Sequence, residues 1–208
     1  VVSGRSVADL KEKVDLDGAY YVGNHGAEYF VGGRLTVEPA AAAYQERVEA
    51  VFDHLKATAN LPGLFWQDKG VSASVHYRMA TDTDHAGRVL AAALDSAAGA
   101  GDLEVFWGKL VLEIRAPVPL NKGYALEKLI RELKLQSVVF LGDDTTDVDA
   151  LRVLRRLTGD DTVQGLGVAV QAEDSPPALL EASGYALDGV PEVETFLRWL
   201  ATVTSEDC

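Results

Sequence analysis

Residues 138–157, VVFLGDDTTDVDALRVLRRL, constrain the fold more than any other stretch of the chain. Val138, Val139, Phe140 and Leu141 form a continuous apolar run, the pattern of a strand buried on both faces. Gly142 ends the run and Asp143, Asp144 and Asp147 follow. Val148, Leu151, Leu154 and Leu157 then recur three apart, a helical spacing. Three carboxylates therefore stand at the C-terminal edge of a buried strand, where open α/β sheets bind ligands. Crowded carboxylates repel one another, and a hard cation such as Mg²⁺ is the natural partner to hold them together.

The flanking sequence repeats the strand-then-helix texture. Leu120-Asn121-Lys122-Gly123 leads into a helix with Leu126, Leu129, Ile130 and Leu133 on its inner face. GLGVAV (165–170) reads as a short buried strand, and Ser175-Pro176-Pro177 starts a helix where a missing N–H costs least. Tyr185 to Leu187 is a last short strand. Val193 to Leu200 is a closing helix with Val193, Phe196, Leu197 and Leu200 inward. Alternating strands and helices of this kind predict a mostly parallel, doubly wound sheet.

The N-terminal part adds Val1-Val2 as the end of a buried strand, a Ser3-Gly4-Arg5 turn and a helix from an N-cap at Ser6 to Val14. Ser3 has two readings: a hydroxyl offered to a phosphate beside close backbone N–H groups, or an ordinary capping turn. Ala19–Val22 is a short strand. Gly23-Asn24-His25-Gly26 is a tight turn, and a hairpin folds over Gly32-Gly33 with Arg34 to Val37 returning. His25 is either a ligand contact or a histidine satisfied within its turn.

Residues 38–117 break the pattern. A helix over 41–58 (Tyr44, Val48, Val51, Phe52 and Leu55 on one stripe), strands at 64–70 and 71–78, a helix over 80–100 capped at Thr81 or Asp82, and two strands within 103–117 predict an α+β insert. Its strands alternate, so the sheet is antiparallel and four-stranded. Val71, Ala73, Val75, Tyr77, Leu110, Leu112 and Ile114 face the helices. The second face carries Gln67, Lys69, His76, Arg78, Lys109, Glu113 and Arg115. Such a face is either solvated or a recognition surface. Cations mixed with amide, carboxylate and imidazole suit hydroxyl and phosphate groups.

The net charge of −13 argues against nucleic acid and anionic membrane as partners, and requires local basic residues to draw in a phosphorylated ligand. The single cysteine, Cys208, forms no disulfide within the chain and fits a reducing, cytoplasmic setting. No apolar run reaches membrane-spanning length and no signal-peptide pattern is present. VVSGRSVADL opens in the middle of an element, so a first part upstream of Val1 is expected.

SGR at 3–5, NHGAEY at 24–29, DKG at 68–70, HYR at 76–78, GKLVLEIR at 108–115, NKG at 121–123 and GDDTTDVDAL at 142–151 resemble the trehalose-6-phosphate phosphatases of the haloacid dehalogenase (HAD) superfamily. The resemblance spans essentially the whole chain. It implies a Rossmann-like core, residues 1–37 and 118–208, interrupted by a cap at 38–117. It also implies Mg²⁺, a small-molecule sugar phosphate as partner, and hydrolysis through an aspartyl-phosphate intermediate. Ser3 and Lys122 would contact the transferring phosphoryl group. Asp143 would bind Mg²⁺, with Asp144 and Asp147 binding it or orienting its shell. Lys69, Arg78, Lys109 and Glu113, together with Arg5 and His25, would contact the substrate.

Two departures stand out. Gln67 occupies a position that is usually acidic in the family. The family's D-x-D-x-T motif, source of the nucleophilic and acid/base aspartates, is absent from residues 1–208 and is expected ahead of Ser3; Asp15-Leu16-Asp17-Gly18 follows no apolar strand. Phosphatases for sucrose phosphate or another sugar phosphate, a non-catalytic sugar-phosphate binder and a phosphomutase are the competing readings. A monomer is expected.

Overall fold

The computed structural model describes residues 1–173 and 175–205; Cys208 lies outside them. The chain divides into two compact units, Val1–Leu120 and the part from Asn121 onward.

In the first unit, α1 (Val7–Lys13) is capped by Ser6, whose hydroxyl accepts from the Asp9 amide. It packs Val7 and Leu10 against Tyr21 of β1 (Tyr21–Gly23). β2 (Glu28–Val31) and β3 (Arg34–Val37) complete an antiparallel sheet in the order β1-β2-β3. Val2 forms a parallel bridge to Val22, so the N-terminal residues pair as a strand end does. Val1 is nevertheless 46% exposed, unlike the buried strand expected there.

The helix expected over 41–58 is broken. α2 (Pro39–Ala42) stops and α3 (Gln45–Thr58) restarts across Ala43-Tyr44. Tyr44 is half-buried against two separate apolar clusters, which turns the chain from one to the other and explains the break. β4 (Phe65–Asp68), β5 (Ser72–His76), α4 (Thr83–Ser96), β6 (Glu104–Gly108) and β7 (Val111–Arg115) follow. The strands form the antiparallel four-stranded sheet read from alternation, in the order β4-β5-β7-β6. Ala73, Val75, Leu112 and Ile114 are buried against Val48, Val51, Phe52 and Leu55 of α3 and Leu90 of α4. Each large side chain buried there contributes about 1.5–3 kcal/mol. Leu110 packs against the same cluster as Leu112 and Ile114, as expected, but from the hairpin turn, with φ +59°, rather than from the strand.

The second unit holds α5 (Lys122–Glu132), β8 (Ser137–Gly142), α6 (Asp147–Gly159), β9 (Gln164–Gln171), α7 (Pro177–Ala182), β10 (Tyr185–Asp188) and α8 (Gly189–Ser205). The three strands are parallel in the order β10-β9-β8. Leu126 and Ile130 of α5, Leu151 and Leu154 of α6 and Leu179 of α7 pack in two clusters that share Phe140, so these helices cover one face of the sheet. β8 departs from the expected strand. Val138 to Leu141 are half-buried rather than buried on both faces; among the described residues β8 pairs with one strand, β9. In α8 the inward assignment fails for Leu197, 48% exposed, while Val193, Phe196 and Leu200 are half-buried. No helix among the described residues is long and apolar enough to cross a membrane.

Candidate functional site

In the second unit the candidate residues gather where β8 ends and α5 and α6 begin. Asn121 caps α5, its side-chain oxygen accepting from the Tyr124 amide at 2.8 Å, and this fixes Lys122 in the first turn. Lys122 is only 8% exposed and Asp147 only 4%. The Lys122 ammonium donates to Asp147 Oδ1 at 2.7 Å. The other oxygen, Oδ2, accepts from the amides of Asp143 at 3.3 Å and Asp144 at 3.1 Å. One buried carboxylate thus holds both the cation and the loop. A Cβ at Gly142 would run into the Asp147 side chain, so only glycine lets that carboxylate fold back against the strand end.

Asp143 and Asp144 are exposed, and Asp144 accepts from the Thr145 amide at 2.6 Å. Among the described residues no three metal-ligating side chains converge on one point. Asp147, expected to bind or orient a metal, is turned inward and spent on Lys122 and the loop. The donors left open are two carboxylates of the kind Mg²⁺ takes one or two of, alongside water and phosphate oxygens, so Asp143 and Asp144 fit that ion.

The first unit holds the other candidates. The Ser3-Gly4-Arg5 turn is clamped beneath the 24–26 turn. The His25 amide donates to Ser3 O at 3.0 Å and the Asn24 amide to Arg5 O at 2.8 Å. The His25 ring lies over Gly4 so closely that a Cβ there would collide with it. Asn24 and His25 both adopt positive φ, 48° and 56°, a conformation Asn and His tolerate better than most residues. Ser3 Oγ accepts from the Arg5 amide at 3.3 Å and keeps its hydroxyl hydrogen to donate.

Glu113 is the centre of this group. Its Oε2 accepts from Ser74 Oγ at 3.3 Å and Lys69 Nζ at 3.4 Å, and His25 Nε2 stands 3.6 Å from Oε1. Lys69 also donates to Gly4 O at 3.4 Å. Burial alone would raise the Glu113 pKa. The close His25 ring and the charges of Lys69 and Arg115 together outweigh burial and hold it down to about 2. His76 is shifted down by burial first and then by the nearby Lys69 and Arg78 charges.

The structure thus brings Ser3, His25, Lys69 and Glu113 together. Arg5 is engaged with Asp9 at 2.6 Å. Arg78 and Lys109 are exposed at the far end of β5 and β7, next to the Tyr77 N–H to Leu110 O bond of 3.0 Å. Arg115 pairs with Glu104 at 2.6 Å instead of joining the cluster.

Two further residues of this group, Asn24 and Glu28, lie in the NHGAEY stretch, but the resemblance gives neither a role of its own. Asn24 is 5% exposed, and its amide donates to Lys69 O at 2.8 Å while its oxygen accepts from Ser72 Oγ at 2.8 Å. Glu28 is a buried carboxyl whose Oε2 accepts from the Val7 amide at 2.8 Å. Burial pushes the Glu28 pKa up, and the hydrogen bonds from Val7 and Asn24 offset only part of that. NHGAEY and the Gly-Asn-His-Gly turn mark Asn24 locally, but its partners are 45 and 48 residues away.

Known proteins resemble this chain in both sequence and fold. A family model described as Trehalose-phosphatase matches residues 1–190. A trehalose-phosphate phosphatase of Mycobacterium avium (strain 104) is 33% identical over 209 residues, covering 97% of this chain and 51% of the relative. The chain spans about half the length of the curated relatives it matches first. A solved trehalose-6-phosphate phosphatase related protein is 20% identical with a TM-score of 0.78, covering 100% of this chain and 82% of its own. A haloacid dehalogenase-like hydrolase from Bacteroides thetaiotaomicron is 15% identical with a TM-score of 0.60, covering 89% and 79%. These two likenesses are of fold: the α/β architecture is shared with both solved proteins.

Proposed function

The chain belongs to the trehalose-phosphatase family, and from that premise we propose that it carries most of a Mg²⁺-dependent phosphatase that hydrolyses trehalose 6-phosphate to trehalose and phosphate. The observation that carries this reading is the buried Lys122–Asp147 pair at 2.7 Å beside the exposed Asp143 and Asp144.

Lys122 keeps two N–H donors free of its bond to Asp147 for a phosphoryl oxygen. Because Asp147 also holds the loop amides, the ammonium and the exposed carboxylates are fixed in position before substrate arrives, and little reorganisation is left for the reaction. Asp143 and Asp144 would hold Mg²⁺, which when bound supplies Lewis-acid polarisation of a phosphoryl oxygen and charge neutralisation. Ser3 would donate its hydroxyl to the same phosphoryl group. The nucleophile and the acid/base would come from a D-x-D-x-T segment, a motif that residues 1–208 do not contain. One aspartate attacks phosphorus and forms an aspartyl phosphate. The second protonates the departing sugar oxygen and then activates the hydrolytic water. Lys69, Glu113, Arg78 and Lys109 would grip the disaccharide. Residues 1–37 and 118–208 would be core and 38–117 cap, the division under which those four residues share one recognition surface.

The test is phosphate release by the full-length protein from trehalose 6-phosphate, with Mg²⁺ or with excess chelator. Release should require the metal, and Lys122→Ala should lower turnover by about 10²-fold or more. Equal rates with and without metal, or unchanged turnover in Lys122→Ala, would refute the assignment. Sucrose 6-phosphate turned over at an equal kcat/KM would widen the substrate class.

A further inference from the structure

We infer that Phe65 and Phe106 are two aromatic walls against which the sugar rings of the substrate stack; this rests on the sugar-phosphatase reading above and names the residues that select a disaccharide. The inference comes from strand register. Residues directly opposite in an antiparallel pair point to the same face. Phe65 pairs with His76 and Gln67 with Ser74; Ser74 pairs with Glu113 and Phe106 with Glu113. One face of the sheet therefore carries the row Gln67–Ser74–Glu113–Phe106 and, next to it, the row Phe65–His76–Val111–Gly108. The opposite face, with Val75, Leu112 and Ile114, is the buried one.

On this mostly polar face, with Val111 half-buried between them, two phenylalanines stand in water, Phe65 61% and Phe106 57% exposed. Neither is needed by the core, which the alternating residues already fill. Phe65 lies on one edge strand and Phe106 on the other, three strand spacings apart, about 14 Å. The Phe65 ring is 6.0 Å from the His76 ring. The floor between the walls offers amide, imidazole and carboxylate groups from the half-buried Gln67, His76 and Glu113, while Ser74 is buried beneath with its hydroxyl given to Glu113. Lys69, Ser74 and His25 hold the Glu113 carboxylate in place. A pyranose has two kinds of surface, faces of C–H groups and a rim of hydroxyls. Apolar rings flanking a polar floor match both, and phenylalanine has no polar atom to compete with the floor for the rim.

The walls would contact sugar rings and not the phosphoryl group, so they bind ground state and transition state alike. Phe65→Ala and Phe106→Ala in the full-length protein should each raise KM for trehalose 6-phosphate by about tenfold. The value of kcat should stay within about twofold. β-Glycerophosphate, a phosphate monoester without a ring, should be hydrolysed as before, and Phe106→Trp should restore the low KM. Both residues are exposed, so both variants should keep the wild-type melting temperature. An unchanged KM, or an equal rise for β-glycerophosphate, overturns the inference.

Calorimetric titration with trehalose itself, which carries no phosphate, separates this failure from failure of the catalytic reading. Binding weakened by the alanine variants supports the walls even in a protein that releases no phosphate. Binding equal in wild type and variants, or absent from the wild type, overturns them.

Discussion

Glu113 and Glu28 are buried carboxyls of the same unit pushed in opposite directions, and the contrast is set by their neighbours. Burial penalises both charges. Around Glu113 it is outweighed by the neighbouring His25, Lys69 and Arg115 together, so the pKa falls from 4.5 to about 2. Around Glu28 burial wins over the Val7 and Asn24 hydrogen bonds, and the pKa rises. The signs of the pH dependence follow. A depressed carboxyl lends stability that is fully present above its unfolded value and is lost as pH falls through the folded one. Glu113 thus stabilises the fold above about pH 4.5 and loses that contribution as pH drops towards about 2. The depression is worth about 3 kcal/mol. Glu113→Gln should cost a comparable amount at pH 7 and flatten the acid limb of a urea-denaturation series run between pH 5 and 2 (roughly the titration window). Glu28 works the other way: its charge burdens the fold at neutral pH, and stability recovers as pH falls through its raised pKa. Glu28→Gln keeps an acceptor for the Val7 amide and should stabilise the protein at neutral pH. Parallel acid limbs for wild type and Glu113→Gln would show that the carboxylate is not held as the geometry describes.

At the scale of elements, the start of α5 shows how local chemistry sets a functional group. Asn121 satisfies an otherwise orphaned amide of the first turn, that of Tyr124, and so fixes the direction in which Lys122 leaves the helix. Asn121→Ala should cost about 1 kcal/mol in denaturant unfolding, and Asn121→Asp should recover most of it. Loss of stability in both variants alike would mean that the residue acts through something other than its cap. Caps, alternation and helical spacing are what a sequence carries openly. For that reason β5, β7, α4, α5 and the Gly-Asp-Asp loop are legible from the amino-acid order alone. The same logic places Gln67, His76 and Glu113 on one face of the four-stranded sheet, but not Phe65 and Phe106 beside them, nor Lys109, which falls in the hairpin turn. What is not legible depends on partners distant in the chain. Asp147 stands in the first turn of α6 on any reading, but that it points inward is decided by Lys122, 25 residues earlier. The break at Ala43-Tyr44 needs two cores for Tyr44 to bridge, and periodicity within one helix contains neither. β8 has the pattern of a fully buried strand because an apolar run records hydrophobicity and not the number of neighbouring strands.

At the scale of the whole molecule, the open side of β8 bears on how copies of the chain meet. The parallel sheet stops at β8, and among the described residues no strand pairs with its second edge. The edge is apolar: Val138 and Phe140 pack toward α5 and α6, leaving Val139 and Leu141 on the other face. An unpaired apolar edge recruits strands from other copies. Opposing this is a net charge of −13, which keeps copies apart. The two effects differ in their response to salt. Charge repulsion is screened beyond about 8 Å at physiological ionic strength, whereas the attraction of an open edge is short-ranged and unscreened. The 208-residue polypeptide should therefore remain dispersed at low salt and self-associate as salt is raised, with light scattering growing with protein concentration. Val139→Lys places a charge on the edge strand away from the helix-covered face. It should suppress the association at every salt concentration and leave the helical circular-dichroism signal unchanged. A polypeptide that stays monomeric at high salt and melts in one cooperative high-temperature transition would show that the β8 edge is protected.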